Sequence, residues 1–199
     1  LTDINKIDLD SQAEKLKIQF PSINIESLAA DLEQAKSRKK LIKTITSQYS
    51  SLYGIVNNAA FTISSPSNDM FCHYSKQSLD SWQKTIEVNM TAPFHLMREL
   101  CPLIENQKGS IVNISSIYGM FAPDMELYEG NEFGNSAAYA ASKSGLIQLT
   151  KWFSNVIGSK IRVNSIIAGG IRRDQSSNFI EKYSKKTTLK RMATEEDIA

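Results

Sequence analysis

The chain has 199 residues, of which 41% are hydrophobic and 22% are charged, and its net charge is +2. This length and composition are typical of one globular domain. A net charge so close to zero gives no reason to expect a nucleic acid or an acidic partner. No apolar run approaches the ~20 residues that a membrane-spanning helix needs, so no membrane contact is expected. Cys72 and Cys101 lack metal-ligand spacing, which predicts no metal site and a reducing, cytoplasmic setting.

The first part of the chain alternates short apolar segments with helical patterns. A capping box that begins at Ser11 predicts a helix, and Pro21 ends it. The next strand is predicted from alternating and then continuous apolar residues that run up to Asp31. The predicted elements are a strand end over 1–5, a helix over 11–20, a strand over 23–31, a helix over 33–49 and a strand over 52–57.

A long helical pattern dominates the middle of the chain, with apolar residues recurring at helical spacing from Trp82 to Cys101. This stripe is expected to be core or a subunit interface. Ser136 caps a later helix, and Thr194 begins a final helix with an acidic first turn. The polar and basic stretch over 175–190 is expected to be irregular. The predicted elements here are a helix over 78–105, a strand over 109–115, a helix over 136–156 and a strand over 161–167.

Strands that alternate with helices predict parallel βαβ units, and therefore one α/β domain over 1–199 with a doubly wound parallel sheet. Ligands bind such sheets at the carboxyl ends of the strands. Five residues fall at predicted strand ends: Asp3, Asp31, Asn58, Ser116 and Gly170. We therefore expect a functional site at this edge of the sheet.

Tyr139 and Lys143 are four residues apart on a predicted helix, so they lie on one helical face. An ammonium beside a phenol stabilises the phenolate and lowers the pKa of the tyrosine from its usual value of ~10. Such a tyrosine is a candidate general acid or base. The alternative is that Tyr139 packs over the apolar stem of Lys143, as happens on many helices.

These motifs, taken together, resemble the short-chain dehydrogenase/reductase family, and the resemblance runs from Asp3 to Asp197. The motifs that carry it are Asn57-Asn58-Ala59-Ala60, Asn89, Ile114-Ser115-Ser116, Tyr139-Ala-Ala-Ser-Lys143, Ile161-Arg-Val-Asn-Ser165 and Ala168-Gly169-Gly170. The resemblance implies an enzyme that uses NAD(P) to interconvert an alcohol and a carbonyl. It implies that Tyr139 transfers the hydroxyl proton, that Lys143 holds the nicotinamide ribose, and that Ser116 binds the substrate oxygen.

Asn89 completes the catalytic set that the resemblance implies. Pro93, four residues later, has no N–H for the carbonyl of Asn89 and pushes against it, which leaves that carbonyl free to hold a water. In the family a water at this position relays protons from the lysine. The alternative is a kink that serves helix packing alone.

For the cofactor, the resemblance assigns Asp31 and Leu32 to the adenine ring and Asn58, Ala59 and Ala60 to the adenosine ribose. Asp3 would accept hydrogen bonds from the ribose hydroxyls, which predicts a preference for NAD over NADP. The remaining positions, at the nicotinamide end, are Tyr139, Lys143, Gly170 and Ile171. Two alternatives stay open: Asp31 as the N-cap of the next helix, and Asp3 as a turn residue.

The sequence departs from the family pattern in ways that shape the expectations. The glycine-rich strand and turn that open the family fold do not precede Asp3, nor does a final strand follow, so we expect a piece of a longer protein. Gly169 replaces a proline, and Asp174 stands where a threonine is usual. Because a similar protein can bind NAD(P) without catalysis, a sensor or scaffold is the alternative function, and a plain interaction module is a third.

The segment between Ser116 and Tyr139 is about ten residues longer than the family commonly shows, and we expect it to form a substrate lid. In that lid Met120, Phe121 and Met125 would cover the substrate, and Glu126, Glu129 and Glu132 would face it. The polar character of the segment suggests a small polar substrate, such as a sugar or nucleotide-sugar derivative. The family resemblance also implies a homodimer or homotetramer, with the helices that hold Trp82 and Tyr139 at one interface.

Overall fold

A computed structural model describes residues 1–62, 72–129 and 135–199. The strands are β1 (Thr2–Asp3), β2 (Leu28–Ala29), β3 (Gly54–Asn57), β4 (Ser110–Ser116) and β5 (Arg162–Ala168). The helices are α1 (Lys6–Gln19), α2 (Ala35–Gln48), α3 (Leu79–Ile86), α4 (Ala92–Glu105), α5 (Ala137–Ile157) and α6 (Ser177–Lys186). A π-helical turn, Glu87–Thr91, joins α3 to α4. Short 3₁₀ turns occur at Tyr74–Lys76, Ile117–Gly119 and Met125–Tyr128.

The strands pair in parallel, which confirms the predicted α/β class. β1 pairs with β2, and β3, β4 and β5 form a second sheet in that order. In the described residues the two sheets share no strand, whereas the sequence predicts one sheet. The order agrees with positions 3-2 and 4-5-6 of a doubly wound sheet, in which another strand occupies position 1.

Helices α2, α4 and α5 cover the strands with a continuous apolar layer. Met97 and Ile104 of α4 pack with Phe153 of α5 and with Ile111 of β4 in one buried cluster. A second cluster joins α2 to the other side of α4, and Ile55 of β3 packs against both clusters. The helix layer therefore fixes where α5, which carries Tyr139 and Lys143, lies on the sheet.

A chain of buried amides and a hydroxyl ties three elements together beneath the site. The Asn57 side chain at the end of β3 donates to Asn113 Oδ1 of β4 at 2.7 Å. Asn113 Nδ2 donates in turn to Thr150 Oγ1 of α5 at 2.9 Å, and Thr150 donates to the carbonyl of Leu146 at 2.8 Å. Since buried polar groups are costly unless they are paired, this chain specifies one register of β3, β4 and α5.

Three boundaries in the first part of the chain differ from the sequence prediction. α1 begins at Lys6 rather than at Ser11, because the Asn5 side chain accepts from the backbone N–H groups of Ile7 and Asp8 and caps it. The strand before Asp31 shrinks to Leu28–Ala29, where the pairing with Thr2 and Asp3 occurs. α2 begins at Ala35, two residues later than predicted.

The C-terminal part shows two larger differences. The stretch predicted to be irregular contains α6, which Ser176 caps by accepting from the N–H of Phe179. The many lysines of this stretch obscure its apolar periodicity in the sequence. On the apolar face of α6, Tyr183 and Phe179 pack with Leu127 and Met192. The helix predicted from Thr194 is only a turn, in which Ile198 N–H donates to the Glu195 carbonyl at 3.0 Å.

The single long helix predicted over 78–105 is interrupted near its middle. The π-helical turn Glu87–Thr91 contains Asn89, and Pro93 lies at the start of α4. A proline cannot donate to the carbonyl four residues earlier, so the backbone widens by one residue here instead of continuing as an α-helix. The sequence analysis expects Pro93 to perturb the helix at Asn89, and the π-helical turn agrees with that expectation.

Candidate active site

Helix α5 brings Tyr139 and Lys143 to the end of β4. Ser136 caps the helix, as the sequence predicts, by accepting from the N–H of Tyr139 at 3.2 Å. Tyr139 is partly buried, Lys143 is 3% exposed, and Lys143 Nζ lies 5.7 Å from the centroid of the Tyr139 ring. The phenol and the ammonium therefore share one face of the helix.

Ser116 joins this pair from the end of β4. An interaction with the Ser116 side chain acts to lower the pKa of the Tyr139 phenol, and Ser116 Oγ accepts from the N–H of Tyr118 at 3.2 Å. A Cβ at Gly119 would lie 2.7 Å from the backbone of Lys143, so only glycine allows the turn after β4 to approach α5 this closely. The turn thereby keeps Ser116 within reach of Tyr139.

The expected effect of Lys143 on Tyr139 does not occur in this structure. Lys143 Nζ donates to the carbonyl of Ile114 at 2.7 Å, and burial lowers its pKa to about 8. Burial raises the pKa of Tyr139, although an interaction with the Ser116 side chain acts in the opposite direction. Desolvation of the phenolate therefore outweighs the effect of Ser116.

The Asn89 side chain ties the π-helical turn to the site. Asn89 is 1% exposed, and its Oδ1 accepts from the N–H of Phe61 at 2.7 Å. Its Nδ2 donates to Ser142 Oγ of α5 at 3.1 Å. Asn89 thus lies beside the helix that carries Lys143, and its side chain connects that helix to the loop after β3.

Most of the residues assigned to the adenosine half of the cofactor line a cleft of ≈ 430 Å³. Its lining includes Asp3, Asp31, Leu32, Ala59 and Ala60. Asn58 is exposed and does not line this cleft. A concave space with acidic and apolar walls fits an adenine ring and its ribose hydroxyls.

Both alternatives for the aspartates are resolved by the hydrogen bonds. Asp31 is not the N-cap of α2, because Gln34 occupies that position. Asp31 Oδ1 accepts instead from the N–H of Glu33 at 2.9 Å, which closes the turn before the helix. The turn alternative for Asp3 is observed, since its Oδ1 accepts from the N–H of Asn5 at 2.8 Å. Asp3 nevertheless lines the cleft.

Gly170 and Ile171 follow β5 and do not line this cleft. Gly170 N–H donates to the Tyr183 hydroxyl of α6 at 2.6 Å, and Ile171 forms a bridge with Ala193. A Cβ at Gly170 would lie 2.9 Å from both Met192 and the Tyr183 ring. These contacts anchor the segment after β5 to α6.

Three acidic residues of the predicted lid pair with lysines of α6. Lys186 of α6 pairs with Asp124 and with Glu126, the latter at 2.7 Å. Lys182 pairs with Glu129 at 3.4 Å. A role of Glu126 and Glu129 toward the substrate stays a prediction, and Glu132 lies outside the described residues.

The apolar residues expected to cover the substrate are exposed in this structure. Met120, Phe121 and Met125 are each more than half exposed. Trp82 and Trp152, on the helices for which an interface is predicted, are also exposed. That subunit interface stays a prediction.

Two groups beside the site were missed by the sequence analysis. The hydroxyls of Tyr118 and Tyr128 are 2.7 Å apart, and Tyr128 also packs against Phe179 of α6. The other is Arg38, buried next to the cleft. Tyrosines in a turn and one arginine within a lysine-rich helix carry no pattern that separates them from surface residues.

A family model described as enoyl-(acyl carrier protein) reductase matches residues 1–199. The chain belongs to the short-chain dehydrogenase/reductase family. Family membership makes it an NAD(P)-dependent oxidoreductase. It is 29% identical to post-translational flagellin modification protein A of Campylobacter coli, over 100% of this chain and 77% of that protein.

The chain is also similar to other dehydrogenases and reductases. The chain is 29% identical to 3-oxoacyl-[acyl-carrier-protein] reductase of Thermotoga maritima, over 96% of this chain and 70% of that protein. A short-chain dehydrogenase from Leptospira borgpetersenii, solved with bound NAD⁺, superposes with a TM-score of 0.77 at 27% identity, covering 96% of this chain and 78% of that one.

In residues 1–62, 72–129 and 135–199, no helix combines the length and the apolar character required to span a bilayer. The same residues contain no cluster of three or more His, Cys, Asp or Glu side chains that could hold a metal ion.

We predict that Lys143→Met stabilises the fold while it removes a site residue. Lys143 has a folded-state pKa of about 8 against an ordinary 10.5, so the unfolded chain binds more protons between these values and stability rises with pH across that window. At pH 7 the buried charge is present and its cost is undiminished. The substitution should raise the free energy of unfolding there by on the order of 1–3 kcal/mol.

Denaturant unfolding at pH 7 and pH 10 measures this effect. The stabilisation should shrink at pH 10, where the native lysine is mostly neutral. Lys151→Met, at an exposed position of the same helix, is the matched control and should change little at either pH. A variant less stable than wild type at pH 7 would show that the bond to Ile114 outweighs the buried charge.

Proposed function

We propose that the protein interconverts an alcohol and a carbonyl, with Asn89, Ser116, Tyr139 and Lys143 as the catalytic residues. The observation that carries this proposal is that the Tyr139 phenol lies beside both the Ser116 side chain and the buried ammonium of Lys143. A proton donor and a second hydroxyl thus converge where one substrate oxygen would bind. A sensor or scaffold would need no such arrangement.

The chemistry follows from these groups. Tyr139, whose pKa is raised by burial, is protonated at neutral pH and can donate to the oxygen of a carbonyl substrate. Ser116 can donate to the same oxygen and stabilise the charge that develops on it. Lys143, with a pKa of about 8, is mostly charged at pH 7 and can supply a proton to replace the one that Tyr139 donates. A bound nicotinamide would supply or accept the hydride.

Asn89 serves this site from the π-helical turn. Its side-chain amide holds Ser142, the residue next to Lys143, and its backbone carbonyl is the group that Pro93 cannot reach with an N–H. A water held on that carbonyl would connect Lys143 to solvent. We therefore assign Asn89 to proton replacement after Tyr139 has donated.

The cofactor assignment puts adenosine in the cleft lined by Asp3, Asp31, Leu32, Ala59 and Ala60. Asn58, which precedes Ala59 in the chain, keeps its assignment to the adenosine ribose. The nicotinamide end would lie near Tyr139, Lys143, Gly170 and Ile171. The carboxylate of Asp3 would accept from the 2′-hydroxyl of NAD and repel the 2′-phosphate of NADP. NAD is accordingly the proposed cofactor.

The proposed substrate is small and polar, with sugar or nucleotide-sugar derivatives as the first candidates. The hydroxyls of Tyr118 and Tyr128 support a polar substrate, because Tyr118 lies two residues after the proposed catalytic serine, in the turn after β4. Two hydroxyls bonded to each other retain acceptor sites and one O–H for a ligand. The acidic residues of the predicted lid give no support, since they pair with α6.

Tyr139→Phe should lower kcat by roughly 10²–10⁴-fold, because it removes the proton donor. The cofactor Kd should stay within about twofold, because the ring and its packing remain. Stopped-flow turnover and NADH fluorescence titration of the full-length protein measure the two quantities. Tyr74→Phe, at an exposed tyrosine, is the control. Retention of most of the wild-type rate would rule out Tyr139 as the proton donor.

The ratio of kcat/KM for NADH to that for NADPH should exceed about tenfold and should fall in Asp3→Asn. The asparagine keeps an acceptor for the N–H of Asn5 but loses the charge that repels a 2′-phosphate. Asp8→Asn, at another exposed acid nearby, controls for net charge. A wild-type preference for NADPH would contradict the assignment of Asp3.

Loss of both lysines that hold the predicted lid should raise the substrate KM. In Lys182→Met/Lys186→Met the carboxylates of Asp124, Glu126 and Glu129 lose their ionic partners on α6. Because exposed ion pairs are weak and screened by salt, the rise should be only about two- to fivefold and should be mimicked in wild type by 1 M salt. The NADH KM should not change.

The assay uses a carbonyl substrate found by screening sugars and nucleotide sugars. Lys185→Met is the matched control, since Lys185 pairs with Glu181 inside α6 and not with the lid. An unchanged substrate KM in the double variant would leave the segment without a role in substrate binding.

A further inference from the structure

Arg38 is a buried cation that belongs to none of the groups assigned above. It lies in the first turns of α2 and is 4% exposed. Its Nη1 donates to two backbone carbonyls, those of Leu32 at 2.6 Å and Glu33 at 2.8 Å. Its Nη2 pairs with Glu87 Oε2 at 2.9 Å. Its Nε donates to His95 Nδ1 at 3.4 Å.

These partners belong to two segments of the chain that line the cleft. One is the loop after β2, with Leu32 and Glu33, and the other is the π-helical turn, with Val88; these two segments are two walls of the cleft. Glu87 directly precedes Val88 in that turn. The guanidinium of Arg38 therefore bonds to the backbone of one wall and to a side chain of the other.

We propose that Arg38 is a positioning residue for the adenosine half of the cofactor, because its fork holds the two walls of the cleft at a fixed separation. The inference rests on the proposed function, in which this cleft takes adenosine. Arg38 need not touch the ligand. It acts through Leu32 and Glu33, which it holds against the helix layer.

The chemistry of the site explains why an arginine is needed. A planar guanidinium offers five N–H donors in a rigid fork, and here they serve two carbonyls, a carboxylate and an imidazole. A lysine at this position has one ammonium and cannot serve the loop and the turn at the same time. His95 Nδ1 accepts the bond only in the neutral form, and burial together with Arg38 lowers the pKa of His95, which favours that form.

The primary experiment titrates ADP-ribose, which lacks nicotinamide, into wild type, Arg38→Met and Arg38→Lys by calorimetry. Loss of the fork should weaken ADP-ribose binding roughly tenfold in both variants, as expected when hydrogen bonds from a charged group are removed. Arg98→Met is the matched control, because Arg98 is an exposed arginine that pairs with Glu99 on α4. Its Kd for ADP-ribose should equal that of wild type.

Turnover with two reduced cofactors adds a second readout. Reduced nicotinamide mononucleotide lacks the adenosine half, so its kcat/KM should stay within about twofold in Arg38→Lys while the NADH KM rises about tenfold. An equal loss with both cofactors would mean that Arg38 acts on the catalytic residues or on the fold as a whole, and would overturn the proposal. Unchanged ADP-ribose binding would overturn it as well.

Glu87→Gln provides the second variant in case the Arg38 substitutions do not fold. Glu87 is 40% exposed in its side chain, so the change removes the charge at one wall without burying an unpaired group. Its ADP-ribose Kd should rise by about twofold to fivefold, and no rise would contradict the proposal. ADP-ribose binding without NADH turnover in wild type would refute the proposed function and leave this inference standing.

Discussion

The site depends on the burial of one ammonium at the carboxyl end of β4. Lys143 is almost inaccessible to water, and its Nζ bonds to the carbonyl of Ile114 in the strand beside it. The low pKa that results shows that this burial costs free energy. The fold tolerates this cost because the packing around α5 holds the lysine in place. The same packing holds Tyr139 beside Ser116.

One face of β4 supplies two of the contacts that hold α5. Asn113 donates to Thr150, and Ser115, two residues later on the same face, donates to the carbonyl of Lys143 at 2.9 Å. Gly145 allows α5 to approach the π-helical turn closely, since a Cβ there would lie 2.2 Å from the sulfur of Met90. Helix α5 thus has little freedom to slide along the strand, and the next residue, Ser116, meets Tyr139 in a fixed register.

Features that depend on local patterns could be predicted from the sequence. The periodicity of short apolar segments predicted the strands near the site within about two residues, and Ser136 was identified correctly as a helix cap. Tyr139 and Lys143 share a face because helical spacing requires it. The chain also belongs to the family that these motifs indicated. Catalytic and cofactor roles for the individual residues stay predictions.

Features that depend on distant contacts were not predictable in this way. The helix α6 forms because Tyr183 and Phe179 find an apolar partner in Leu127, more than fifty residues earlier, which the lysine-rich composition conceals. The acidic residues of the predicted lid pair with lysines of that same unforeseen helix. The pKa of Tyr139 is raised because burial outweighs the effect of the Ser116 side chain, and spacing alone cannot measure burial.

The two buried cations, Lys143 and Arg38, serve different ends of the site and have different partners. Lys143 has a backbone carbonyl as partner and keeps a pKa low enough to exchange protons, which suits a group beside the reacting atoms. Arg38 has a carboxylate, an imidazole and two carbonyls as partners, and a guanidinium does not lose its proton in proteins. It suits a permanent support. The π-helical turn lies between them, with Glu87 bonded to Arg38 and Asn89 bonded to Ser142 next to Lys143. Side chains two residues apart on an α-helix point about 200° from each other, and in this turn Glu87 and Asn89 likewise reach opposite ends of the site.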